Sequence, residues 1–296
     1  MAFVVRRLPR RWVLWLGGRL GRLWGRLDRR HLEIAAQNLR QAFPDWDEAR
    51  VERTARAVYA HFGTVILDLL WMQGRTANEL LALADLDGIE VLQSAVAEGR
   101  GVLCPSAHYG NWEVQAVASS PLIGRISSIA RALDNPALDR RLVDFRTSTG
   151  NGVFYKKNAL AGVMRALRAG ETVAVLIDQN VQERDGIFVE FFGRPAATTT
   201  VAAAVALKTG CAIVPVRCTL QPSGRYLMQY GPRVEWTGSG RRDEDVPALT
   251  LHLTAIVEGW VREHPEQWLW LHRRWKTRPS ASPTPATPEA AGGAPA

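Results

Sequence analysis

Cysteine is scarce: Cys104, Cys211 and Cys218 are the only three in 296 residues, and no two of them form a C-x-x-C pair. An odd count without metal-ligand spacing excludes a disulfide framework and a zinc ribbon, and predicts reduced, buried thiols packed as small hydrophobes. Long apolar runs are missing as well. Nothing approaches the 18 or so consecutive apolar residues of a membrane-spanning helix. The glycine signatures of nucleotide enzymes are also absent: the chain has no G-x-x-x-x-G-K-[ST] and no G-x-G-x-x-G. It has no G-x-S-x-G elbow around a nucleophilic serine, since Ser106 sits in CPSAH without flanking glycines, and no H-E-x-x-H. Acidic residues are outnumbered, 29 Asp and Glu against 37 Lys and Arg, which leaves a net charge of +8 and a pI near 9.9. Together with eleven tryptophans, this suits an anionic membrane surface and suits nucleic acid equally well.

The N-terminal segment separates these possibilities in part. On a helical wheel Trp12, Val13, Leu16, Leu20, Leu23, Trp24 and Leu27 gather on one side, with Arg11, Arg19, Arg22, Arg26 and Arg29 beside them. Trp15 falls among the arginines. A Trp-rich helix flanked by arginine is expected to lie in a bilayer interface against anionic headgroups. The alternative is a helix packed on the protein's own core with a solvated arginine face. The apolar stretch Trp12–Gly18 is too short, and arginine resumes too soon, for a secretory signal.

Residues 31–43 continue as helix up to Pro44. Beyond it, Val51, Ala55, Val58, Phe62, Val65 and Leu69 recur at spacings of four and three, which predicts a helix capped by Asp45 or Asp47 and ended near Gly74. From residue 100 the pattern changes. Short β-rich runs at 101–105, 125–131, 172–178, 212–219 and 225–231 alternate with helical runs at 111–119, 136–148, 158–169, 199–209 and 246–264. This predicts an α/β fold, a central, mostly parallel or mixed sheet flanked by helices, with a helical N-terminal segment. Three regions are expected: a basic amphipathic helix over 1–30, the α/β domain over 31–278, and a disordered Pro/Ala-rich tail over 279–296.

The stretch AHYGNWE (107–113) stands where a strand becomes a helix. In open α/β sheets functional groups gather at the carboxyl ends of strands. His108 lies just past such an end and Glu113 in the first turn of the next helix. A carboxylate on one ring nitrogen would fix the tautomer and leave the other nitrogen as a base, with no protein nucleophile needed. The plainer reading is that Glu113 serves its own helix N-terminus and that His108 is a satisfied core histidine.

AHYGNWE resembles the H-x-x-x-x-[DE] motif of the glycerolipid acyltransferases. NLRQAFPDW (38–46), RALDNPALDR (131–140), LIDQN (176–180), FFGRPAATTT (191–200), TGCAIVPV (209–216) and WLWLHRRWKTRP (268–279) follow in the order found in the lipid A biosynthesis acyltransferases. The resemblance spans about residues 12–279. It implies an O-acyltransferase that moves a fatty acyl group from acyl carrier protein to a hydroxyl of a lipid A precursor, at the cytoplasmic side of the bacterial inner membrane. No cofactor, metal or nucleic acid would take part. By the same resemblance His108 is the general base, Glu113 its orienting partner and Arg146 the oxyanion donor, although Arg146 also fits a surface helix arginine. Arg131 and Asn111 are expected at the substrate; the alternative for Arg131 is pairing with Asp134 or Asp178 to shape the pocket. Asp178 and Gln179 end a strand on the same side and would support the site. Phe191 and Phe192 fit an acyl tunnel or the core of a hairpin, and Gly193 a close backbone approach. Arg273 and Arg274, among Trp268, Trp270 and Trp275, offer a cationic face to headgroups, substrate phosphates or the acidic carrier protein, or else form a solvated basic edge. The resemblance extends to a cousin branch that acylates phosphatidylinositol mannosides. From another class, a non-catalytic basic protein binding membrane or nucleic acid fits the charge alone.

Overall fold

A computed structural model describes residues 2–155 and 159–280. The tail expected to be disordered lies, from residue 281 on, outside the described residues.

The chain opens with helices: α1 (Ala2–Val5), α2 (Arg10–Leu27), α3 (Arg29–Ala42) and α4 (Glu48–Met72). Asp47 caps α4 by accepting the Arg50 amide at 2.6 Å, and its stripe Val51, Ala55, Val58, Phe62 and Val65 is buried as the periodicity predicts. Helix α5 (Ala77–Leu81), strand β1 (Ala84–Asp87) and helix α6 (Ile89–Ala97) lead into the α/β part. This continues through β2 (Val102–Ser106), α7 (Trp112–Ile123), β3 (Ile126–Ala130), α8 (Pro136–Thr147), β4 (Gly152–Tyr155), α9 (Ala159–Arg168) and β5 (Thr172–Leu176). A hairpin of β6 (Ile187–Phe191) and β7 (Arg194–Thr198) precedes α10 (Val201–Thr209), β8 (Ala212–Ile213), β9 (Val216–Leu220), β10 (Tyr226–Tyr230) and α11 (Arg242–Glu263).

The main sheet is all parallel, in the order β4-β3-β5-β2-β8. Successive residues of the inner strand β2 face two different cores. Leu103 joins the apolar cluster of α4, α9, α10 and α11, whereas Val102 and Cys104 join the cluster under α6 and α7. A strand covered on both faces reads as a continuous apolar run, and β2 is buried at every position. Pro105 is tolerated within it because β8 stops at Ile213, so β2 has no partner on that side beyond Leu103. The run expected as one strand over 212–219 breaks at Pro215. Its first half adds to the parallel sheet, and its second half turns away to pair antiparallel with β10, which pairs parallel with β1. All three cysteines are buried and free.

Two edge strands escape the sequence pattern. In β1 only Ala84 of ADLD is buried, and β4 has no fully buried residue. Neither shows the apolar alternation that a half-buried strand imposes.

Helix α2 packs on α4 by a face that the wheel does not mark. Its inner face is made of glycine: Gly17, Gly18, Gly21 and Gly25 are buried against α4. A Cβ on Gly21 would sit 2.1 Å from the Tyr59 carbonyl oxygen, and one on Gly63 of α4 would sit 2.5 Å from the Gly17 oxygen. The two backbones are therefore nearly in contact. Of the residues assigned to the apolar side only Val13 is buried, while Trp12, Leu20, Leu23, Trp24 and Leu27 are exposed. Among the described residues no helix is long and apolar enough to cross a membrane.

Because the Tyr59 carbonyl cannot move aside, Gly21→Val should lower the unfolding free energy by about 1–3 kcal/mol and open the 1–30 segment to proteolysis. Gly18→Ala, whose nearest contact would be the Thr64 hydroxyl at 3.3 Å, is the mild control. Denaturant titration with limited proteolysis measures both.

Candidate active site

Strands β2 and β5 pair in parallel with Ser106 opposite Leu176, and the Ile177 amide extends the ladder to the Ser106 carbonyl at 3.0 Å. Two residues beyond that shared end stand His108 on one strand and Asp178 on the other. The register alone brings them side by side. His108 Nδ1 lies 2.8 Å from Asp178 Oδ1, and the His108 amide donates to Asp178 Oδ2 at 2.9 Å. The indole of Trp268 donates to the same Oδ2 at 2.8 Å. Burial pushes the Asp178 carboxyl up, but the adjoining imidazole and these three hydrogen bonds more than offset it and hold it below the usual carboxylate range. An ionised Asp178 accepts a hydrogen bond from Nδ1–H, which leaves Nε2 as the unprotonated ring nitrogen. Nε2 faces the exposed Gln179, whose amide nitrogen is 3.4 Å away, and the imidazole keeps 18% of its surface.

The carboxylate that meets the imidazole is thus Asp178, and Glu113 is engaged elsewhere. Glu113 Oε2 accepts Arg146 Nε at 2.7 Å, and Oε1 accepts Arg146 Nη2 at 2.5 Å and the Trp112 indole at 2.8 Å. Asn111 caps α7, so Glu113 is the second residue of that helix, and its side chain crosses to α8 rather than back to the turn. The ring of Trp112, 5.0 Å from that of His108, stands beside both groups. Arg146 is therefore a paired guanidinium in the site wall. Its fork uses Nε and Nη2, which leaves Nη1 as the remaining donor.

Trp112, Glu113 and Arg146 also line a cavity of about 70 Å³ that continues between α7 and the sheet past Ile126, Ala174 and Leu176. It lies on the opposite side of the sheet from Phe191 and Phe192.

The turn carrying His108 is clamped from several directions. Gly110, at φ +60°, donates to the Gln267 carbonyl at 2.8 Å, and a Cβ there would lie 1.8 Å from the Cys218 oxygen. The Asn111 amide donates to Cys218 O at 2.9 Å, and the Leu269 amide to His108 O at 3.1 Å. His61 Nε2 contacts the Gly110 carbonyl at 3.2 Å. Burial holds the His61 pKa down at about 4. Burial does the same for His272, also to about 4, and its Nε2 accepts the Asn180 amide at 2.8 Å.

Several expected substrate contacts are structural instead. Asn111 is fully buried; its Oδ1 accepts the Val114 amide and its Nδ2 donates to the Tyr226 hydroxyl. Phe192 is core, packed on Phe43, Phe191 and Trp270. With Gly193 it forms the two-residue turn of the β6–β7 hairpin, both residues at positive φ (55° and 67°). Gly193 serves that turn and no close approach, since a Cβ there would meet nothing within 4 Å. Arg274 is 0% exposed, donating to Ala197 O at 2.8 Å and Thr198 Oγ1 at 2.5 Å. Burial lowers its pKa to about 10, against the opposing charge of Asp178. It braces the hairpin and cannot reach a ligand from there, whereas Arg273 is exposed. Arg131, just past the end of β3, pairs with Asp134 at 3.2 Å, both side chains largely in solvent.

Sequence reasoning underrated Asp178 and missed Trp268 as its second donor. The equal two-residue offset of His108 and Asp178 from two paired strand ends was the signal available.

The family model for bacterial lipid A biosynthesis acyltransferases matches residues 1–277. The chain is 28% identical to the lipid A biosynthesis lauroyltransferase of Escherichia coli K12, over 95% of this chain and 91% of the relative. It is 26% identical to the lipid A biosynthesis palmitoleoyltransferase of the same organism, over 92% and 88%. With the phosphatidylinositol mannoside acyltransferase of Mycolicibacterium smegmatis it shares 27% over 75% and 71%.

The buried His61 and the half-buried His272 make stability depend on pH. Each takes a proton near pH 6.5 when unfolded but only near 4 when folded. Stability is therefore full above 6.5 and falls as the pH drops towards 4, by up to about 1.4 kcal/mol per unit for each group. Urea titrations from pH 7.5 to 4 should show that slope, and His61→Gln should make it shallower.

Proposed function

The chain belongs to the bacterial lipid A biosynthesis acyltransferases and is an acyltransferase, and we propose that it moves a fatty acyl group from acyl carrier protein to a hydroxyl of a lipid A precursor, with His108 as the base. One observation supports this most: the imidazole is held by a buried carboxylate on Nδ1, Nε2 meets the exposed Gln179 amide at 3.4 Å, and among the described residues no serine or cysteine hydrogen-bonds to the ring. In this reading Nε2 takes the proton of the acceptor hydroxyl as its oxygen attacks the thioester carbonyl. The tetrahedral intermediate then collapses, the carbon–sulfur bond breaks, and His108 returns the proton to the leaving thiolate. No acyl-enzyme forms.

Asp178 keeps the ring in the productive tautomer and stabilises the imidazolium as it forms. The motif carboxylate Glu113 has a different task. It holds Arg146 by a two-pronged bond, fixing Nη1 for the oxyanion that develops on the thioester carbonyl. The cavity that begins at Trp112, Glu113 and Arg146 receives the first carbons of the acyl chain, whereas Phe191 and Phe192 belong to the hairpin core.

The outer face of α2 attaches the enzyme to the membrane interface, at the cytoplasmic side of the inner membrane. Trp12, Leu20, Leu23 and Leu27 project from it, with Arg11, Arg19, Arg22 and Arg26 exposed around them. Such a face suits acyl-chain insertion flanked by anionic headgroups. The exposed Arg131 and Arg273 contact substrate phosphates or the acidic carrier protein.

Mass spectrometry after incubation with acyl carrier proteins bearing different chains and a tetra-acylated Kdo-lipid A precursor tests the reaction. A gain of one acyl group is expected. His108→Ala and Asp178→Asn should each cost about 100- to 10,000-fold in kcat, and Glu113→Gln should lose rate through Arg146. Normal rates in His108→Ala would remove it as the base. Transfer only to a phosphatidylinositol mannoside would change the acceptor and keep the mechanism. For the membrane face, Leu20→Glu with Leu23→Glu should release the protein from anionic vesicles without a change in melting temperature; retention on the vesicles would count against it.

A further inference from the structure

Helix α4 bears two buried side chains, His61 and Asp68, seven residues and so two turns apart on one face. His61 meets the Gly110 carbonyl of the active-site turn. Asp68 is 0% exposed and receives Arg10, the first residue of α2, in a two-pronged pair: Nε to Oδ1 at 3.0 Å and Nη2 to Oδ2 at 2.6 Å. The buried Tyr226 hydroxyl donates to the same Oδ2 at 2.6 Å and accepts Asn111 Nδ2 at 2.8 Å. The Arg10 guanidinium also lies 5.1 Å from the centre of the Tyr226 ring. An unbroken chain of short bonds thus runs from the membrane-facing helix through α4 and β10 to Asn111, three residues from His108.

None of these groups reaches the reacting atoms, and stability does not account for them. A buried ion pair is commonly no better than apolar residues of the same volume, because both charges must be stripped of water. What the pair contributes is direction. Asp68 accepts from Arg10 and Tyr226 at once, which orients the phenol to receive Asn111, and Asn111 spends its other end on the α7 cap.

We propose that Asp68 and Tyr226 are positioning residues for acyl transfer: the chain Arg10–Asp68–Tyr226–Asn111 aims the turn at 107–111, and so makes the seating of α2 on α4 a condition of full turnover. The inference rests on His108 being the base. In it, the N-terminal helix is part of the catalytic apparatus as well as the membrane contact, and a helix lifted from α4 slows the chemical step even when both substrates are bound.

Two variants test this. Tyr226→Phe keeps the ring and removes the hydroxyl that joins Asp68 to Asn111. The pair Arg10→Met with Asp68→Leu replaces both ions by apolar groups of similar length, so that no unpaired charge is left buried. Each should lower kcat by about 10- to 100-fold, the cost of a small misplacement of reacting groups, with KM for both substrates unchanged. A purely structural role predicts instead that the double variant, its melting temperature restored, regains wild-type kcat; that result would overturn the proposal, as would wild-type kcat in Tyr226→Phe. Should the double variant fail to fold, Tyr226→Phe decides alone. Hydrogen exchange gives a readout that needs no substrate. Amides of 107–114 should exchange faster in both variants while those of β5 do not change. If the wild type proves silent on the named substrates, faster exchange at 107–114 still supports the positioning chain and faults the substrate reading only. Unchanged exchange there would overturn the chain itself.

Discussion

A single buried carboxylate organises this protein. Asp178 stands at the end of β5 with both oxygens engaged, by the imidazole and the amide of His108 and by the indole of Trp268. Burying a charge is costly unless hydrogen bonds replace its water, so the three partners are obligatory once the carboxylate is inside. They arrive from different parts of the chain. His108 comes from the neighbouring strand end, and Trp268 comes from the segment after α11. That segment in turn ties down the turn through Gln267 and Leu269 and supports the hairpin through Arg274. The C-terminal basic-aromatic stretch is therefore as much a part of the site as the histidine.

The two acidic residues near His108 take different partners by geometry. Asp178 lies level with His108 because two parallel strands end together. Glu113 lies one helical turn further on and points across α7 to α8, where Arg146 takes both of its oxygens. A spacing of five residues is compatible with either carboxylate serving the ring. Only the cap at Asn111, which sets where α7 begins, decides that Glu113 belongs to the arginine.

Helix α2 shows the same separation of roles on a larger scale. Its glycines let the backbone approach that of α4 to near contact, with the Thr64 and Tyr59 side chains of α4 seated against Gly18 and Gly25, and most of the large apolar residues are turned outward. With helix–helix contact made at the glycines and through the salt link of Arg10, the Trp and Leu side chains stay exposed. A hydrophobic wheel identifies an apolar face correctly but does not say whether it is inside. Here the inner face is the one with no side chains to score.

Much of the fold was legible because its determinants are local and periodic. The α4 stripe, the apolar runs of β2 and β5, the strand–helix alternation and the position of His108 past a strand end all follow from spacing along the chain. The motifs in order were enough to indicate the family. What the sequence could not contain was which partners long-range pairing brings together. The register of β2 on β5 selected Asp178 for the imidazole. The α7 cap turned Glu113 towards Arg146. Burial converted Asn111, Phe192 and Arg274 from expected ligand contacts into parts of the frame, and the exposed edges hid β1 and β4 from any periodicity. Residue type and spacing determine what each group can do, whereas the meeting of groups 70 residues apart is decided by tertiary packing, where the desolvation of one charge forces its partners into place.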